Sequence, residues 1–146
     1  MHPNLDLVCN GNPDARVFFL ACGEYLRAAD NLMDEGPWDE AAVLNCVALG
    51  VRLYSTPFYI ANKDRLQLPV LTATSIWAKS CQWEREPELW KRQWADVLRH
   101  IDCTVYGAVA MITGGWEKLH VFTGVWLSAG YVNHKDKHGT PDEPKP

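Results

Sequence analysis

Asp30 and Asp34 are the residues whose type and spacing most directly suggest chemistry in this chain. On a helix a separation of four stacks both carboxylates on one face. Two half-buried carboxylates on successive turns repel each other, and a hard cation such as Mg²⁺, which takes oxygen ligands and keeps several waters, relieves that repulsion. Counted at ~100° per residue from Cys22, the pair falls at the edge of an apolar stripe and above Gly23, where open space and a bordering cavity are expected. A solvated edge, with Arg27 pairing Asp30 at i, i+3, is the plainer reading of the same residues. A second constellation is Asp96 with His100 one turn on, where the carboxylate can orient the imidazole as a general base requires. An ordinary hydrogen bond on a partly exposed helix accounts for it equally simply. Should the stripe of Gln93, Asp96, His100, Cys103 and Gly107 face Asp30 and Asp34, those two aspartates with Asp96 and His100 would form one polar pocket, the usual setting of a small-molecule site.

Seven tryptophans in 146 residues form a third group. Trp38, Trp83, Trp90 and Trp116 fall near predicted helix ends, where side chains often reach the surface, and tryptophan is enriched among the anchors of protein interfaces. They are the candidate partner-binding residues. The five cysteines are odd in number, widely spaced and without a C-x-x-C pair, so they read as reduced core residues. The histidines of the C-terminal stretch, His134 and His138, lack a fixed frame that would orient them as metal ligands. No P-loop, dinucleotide fingerprint, H-E-x-x-H or G-x-S-x-G is present, which removes those enzyme classes.

Fourteen basic against eighteen acidic residues give a net charge of −4. With no basic stripe, nucleic-acid binding is disfavoured. The first residues lack both a basic region and an apolar run, so no secretory signal is expected and a cytoplasmic location is. The apolar stretch 103–115 is short of the ~20 residues a membrane-spanning helix needs, and a buried core helix is expected there instead.

The elements that must carry these residues are all helical, with no strand-type alternation. Asn12-Pro13-Asp14 has a capping side chain, a proline suited to the first turn and an acid that complements the dipole, which predicts a helix from 13 to about 35 stopped by Gly36-Pro37. A second helix is predicted from 37 to 54, apolar nearly all round and therefore central. A short helix over 57–62, a helix from 68 or 69 to 82, a long helix from about 88 closed by Gly114-Gly115 and a helix over about 116–129 complete an all-α bundle of about five helices with antiparallel neighbours. The long helix carries Trp90, Trp94, Val97 and Leu98 on one stripe, opposite the stripe of Gln93, Asp96, His100, Cys103 and Gly107. One domain is expected over 1–132, with 133–146, rich in charge, Pro and Gly, as a flexible tail.

The segment Tyr25-Leu26-Arg27-Ala28-Ala29-Asp30-Asn31-Leu32-Met33-Asp34-Glu35 resembles the first aspartate-rich motif of class I isoprenoid synthases of the phytoene and squalene type. That resemblance implies magnesium and a prenyl diphosphate held by Asp30 and Asp34, with Asn31 where the family has its second aspartate. Asp96 is the candidate for the opposing acidic motif. A looser resemblance, carried by Arg92-Gln93-Trp94-Ala95-Asp96-Val97-Leu98-Arg99-His100 and Gly114-Gly115-Trp116-Glu117, is to small helical proteins of tailed bacteriophages; it implies no activity and suits roles in redirecting host metabolism or blocking host defence, carried by binding as often as by catalysis. The expectation is a small cytoplasmic helical protein that binds a host protein or itself, with magnesium-dependent chemistry on a diphosphate-bearing small molecule as the alternative.

Overall fold

The computed structural model describes residues 5–34, 39–99 and 103–138, and every regular element among them is an α-helix. These are α1 (Leu5–Cys9), α2 (Pro13–Asp34), α3 (Glu40–Tyr54), α4 (Pro57–Glu84), α5 (Leu89–Arg99) and α6 (Cys103–His138). The all-α bundle is as expected, with one helix more than the periodicity showed.

That helix, α1, has five residues, too few to display a period, yet it buries Leu5, Val8 and Cys9. Asn10 and Gly11 take positive φ values of 49° and 78° and reverse the chain after it. Two hydrogen bonds tie this end to α6: Asn10 Nδ2 donates to the Thr113 carbonyl at 3.1 Å, and Thr113 Oγ1 donates to the Val8 carbonyl at 2.8 Å. The expected cap of α2 is formed, with Asn12 Oδ1 accepting from the Ala15 amide at 2.9 Å.

The start of α3 lies later than the proline suggested. Asp39 is its cap, accepting from the Ala42 amide at 2.7 Å, because an acid with extended backbone satisfies a free amide that a first-turn acid would leave open. Thr56 and Pro57 begin α4 as predicted, and the chain bends by 88° between α3 and α4. Within α4 the irregularity sits at Asn62, not before Pro69. The Asn62 amide donates to the Phe58 carbonyl at 2.9 Å, a local bond that competes with the helical ladder, whereas Pro69 forfeits only one backbone bond.

The helix expected from about 88 to 113 is helical over Leu89–Arg99 and from Cys103 onward, with 100–102 outside the described residues. The predicted closure at Gly114-Gly115 is present as a break inside α6, where Gly115 has φ 75° and ψ −169°. Helical structure continues to His138, so the first part of the segment expected to be an unstructured tail is helical.

The core joins α1, α2, α4 and α6 around Phe18, Leu66, Val8, Val109 and Phe122, all fully buried. Phe18 packs on Phe58 and Tyr59 at 5.7 and 6.0 Å, and Phe19 stacks on Tyr106 at 4.3 Å. The stretch expected to be a core helix supplies Tyr106, Val109 and Ala110 to it. The second predicted helix is not central. α3 packs on α2 and touches α4 only slightly, so of its apolar residues only Gly50 and Leu53 are buried.

Candidate functional site

Asp30 is half-buried near the end of α2 and Asp34 is exposed in its last turn. The open space predicted above Gly23 exists, since nothing lies within 4 Å of a Cβ built there. It belongs to a groove of about 840 Å³ between α2 and α3, floored by Phe19, Leu49 and Tyr106. Its polar lining comes from Glu24, Arg27, Asn31, Asp39 and Asn45, and neither Asp30 nor Asp34 lines it. Glu24 accepts from Arg52 at 2.8 Å across the α2–α3 seam, both side chains more than half exposed. Among the described residues no three His, Cys, Asp or Glu side chains come together as a metal site.

Asp96 lies half-buried on α5. Among the described residues α5 packs on α4, touches α6 slightly and makes no contact with α2, so no α2–α5 packing among them draws Asp96 to Asp30 and Asp34. His100, its expected partner, lies outside the described residues, as does Trp38.

The remaining tryptophans divide. Trp83 and Trp90 meet edge to face at 5.5 Å across the α4–α5 turn. The Lys91 ammonium sits 5.9 Å from the Trp90 ring centre and bonds Glu88 at 3.0 Å and Glu86 at 3.4 Å. The hydrogen bond between Glu88 and Lys91 lowers the carboxyl's pKa and raises the ammonium's, so both stay charged beside the ring. Trp116 stands on α6 just past the Gly115 break, 68% exposed and stacked on His120 at 6.1 Å.

The tryptophan stripe of α5 faces outward over Trp90, Trp94 and Val97, with Leu98 half-buried at its edge. Ala95 is the residue of α5 that reaches the interior, at 1% exposure, while Trp90, Trp94 and Val97 at i, i+4 and i+7 share the opposite side. Trp90 and Trp94 are 53% and 54% exposed. The reason is the short α4–α5 turn, which Arg92 fixes by donating to the carbonyls of Glu86 and Pro87 at 3.1 and 2.9 Å. Against α4 the small side chain of Ala95 permits the close approach that an indole would prevent. Trp94 and Val97 thus extend the exposed face of Trp90 beyond the tryptophans expected at the surface.

α3 carries a second uncovered face. Val43, Leu44, Val47 and Val51 are exposed, and Tyr54, 40% exposed, stands at the end of this face with its ring against Tyr59 at 5.0 Å. Along one flank runs a shallow groove of about 490 Å³ formed by Tyr25, Cys46, Val47, Gly50, Val51, Tyr54 and Ser55. Gly50 makes it possible, since a Cβ there would meet the Tyr25 ring at 3.2 Å. Among the described residues no single helix is long and apolar enough to cross a membrane; α3 and α4 pass together on length and composition, across their 88° bend.

Cys9, Cys22 and Cys81 are free and buried, as expected of core cysteines, and Cys46 is free and half-buried. Burial pushes the Cys9 thiol up to about 11, the opposite of what a nucleophile needs.

No protein-family model, curated protein or solved structure matches the chain.

Proposed function

We propose that this chain is a binding protein that engages a protein partner through the outward face of α5, acting in the cytoplasm of the cell that makes it. The observation that supports this reading is the orientation of α5. A helix with one strongly apolar side normally turns it inward, yet here Trp90, Trp94 and Val97 face solvent while Ala95 packs. Tryptophan anchors carry a disproportionate share of interface energy, and a rim of charged groups around them excludes water and sets orientation. Glu86, Glu88, Lys91 and Arg92 supply such a rim. The role suggested by the phage-protein resemblance, engagement of a host protein, is of the same kind.

The test is capture of a partner from the expressing cell by the purified full chain, compared with Trp90→Ala/Trp94→Ala. Two lost anchors should weaken capture by on the order of tenfold or more, with helicity by circular dichroism unchanged. Equal capture by the wild type and the double variant overturns the assignment of α5.

A further inference from the structure

We propose that the groove between α2 and α3 binds a small organic molecule with an apolar body and a single carboxylate, the carboxylate resting on Arg27 and the body over Gly23. The site is separate from the α5 face and takes a different class of ligand.

The residues that line the groove from α2 recur at intervals of four. Phe19, Gly23, Arg27 and Asn31 form one row along the helix, in the order aromatic ring, gap, cation and amide. From α3 come Asn45 and Leu49. The pairing of Glu24 with Arg52 and the approach of Gly50 to Tyr25 set the two helices antiparallel. Asn45 therefore lies towards the Asn31 end of the groove and Leu49 towards the Gly23 end, which makes one end polar and the other apolar. Four residues separate Gly23 from Arg27, about 6 Å at 1.5 Å per residue, close to the reach from a carboxylate to the far ring of a fused two-ring body. The volume of about 840 Å³ and the apolar lining with a few convergent polar groups are those of a small-molecule cleft.

The charges around the groove single out Arg27. Glu24 is neutralised by Arg52 at 2.8 Å. Asp39 accepts from the Ala42 amide at 2.7 Å, at the positive end of the α3 dipole. Arg27 forms no ion pair among the described residues, and Asp30, the partner that the i, i+3 spacing suggests, does not engage it. The electrostatic complement of this lining is thus one negative charge. A guanidinium presents a planar fork of donors that matches a carboxylate, and the Asn31 amide one turn on adds a further donor. A diphosphate carries more negative charge than this one side chain balances.

Titration calorimetry of the full chain with naphthoate should saturate at one molecule per chain, and naphthylmethanol, which has the same rings without the charge, should bind on the order of tenfold more weakly. Arg27→Gln should weaken naphthoate on the order of tenfold and leave naphthylmethanol as it is in the wild type. Gly23→Leu should block both, with helicity by circular dichroism unchanged, because nothing lies within 4 Å of a Cβ at that position. Trp90→Ala/Trp94→Ala should bind naphthoate as the wild type does.

The absence of saturable binding to the wild type overturns the proposal, as does equal affinity of the wild type for naphthoate and naphthylmethanol. Retention of full naphthoate affinity in Arg27→Gln or in Gly23→Leu overturns it too. Loss of binding in Trp90→Ala/Trp94→Ala would place the probe on α5 and not in the groove. Inorganic phosphate that displaces naphthoate at equal concentration would make the site one for phosphate and refute the carboxylate assignment.

Discussion

Cys9 shows how burial decides what a residue can do. Its thiol is buried on α1, and burial raises its pKa from 9.0 to about 11, only partly countered by Arg16. In the unfolded chain the thiol ionises near 9.0, so between that pH and 11 the folded state holds the proton that the unfolded state has released. The stabilisation is complete below pH 9 and is lost as pH rises through 11. Melts across this window should therefore fall less steeply in Cys9→Ala than in the wild type. Cys9 should also resist iodoacetamide at pH 8 until the chain is unfolded, as read by mass spectrometry. Asp30 and Asp34 lead to the contrasting expectation. Neither carboxylate lines the groove beside them, so millimolar Mg²⁺ with pyrophosphate should leave the melting temperature of the wild type and of Asp30→Ala/Asp34→Ala unchanged. A ligand at 100 times its Kd would add about 2.7 kcal/mol, and such a shift, lost in the double variant, would return the site to the aspartates.

At the scale of elements, the break in α6 rests on one residue. Gly115 holds φ 75° and ψ −169°, a region that side chains do not tolerate, although the space around it is open. Gly115→Ala should cost about 1–3 kcal/mol through backbone strain alone, measured by urea unfolding with an unchanged slope. Substitution on the exposed face next to it, such as Trp116→Ala, serves as the control, with an expected change within about 0.5 kcal/mol. Punctuation of this kind was readable beforehand: Asn12 caps α2, Thr56-Pro57 opens α4 and Gly114-Gly115 divides α6, because each depends on a local backbone rule. The outward turn of α5 and the peripheral place of α3 were not readable. Periodicity shows that Trp90, Trp94 and Val97 share a side and that α3 is apolar nearly all round, but which neighbour reaches that side depends on long-range packing. α1 was missed for the simpler reason that five residues hold no period. The four-group pocket was not readable at this same scale, since the spacing of Asp96 along α5 carries no information on which helix α5 meets.

For the molecule as a whole, the two uncovered helix faces mark the elements that the chain holds least firmly. The core drawn from α1, α2, α4 and α6 surrounds Phe18, Val109 and Phe122, while α3 is anchored by Leu53, the Gly50–Tyr25 approach and the exposed Glu24–Arg52 pair. Exposed ion pairs contribute little, so α3 should open more readily than α2. Native-state hydrogen exchange should show the amides of α3 exchanging at lower free energy than those of the buried turns of α2, and Arg52→Ala should move the melting midpoint little because the pair it breaks is more than half exposed. Equal protection of α2 and α3 would mean that α3 is held as firmly as the core helices despite its uncovered face.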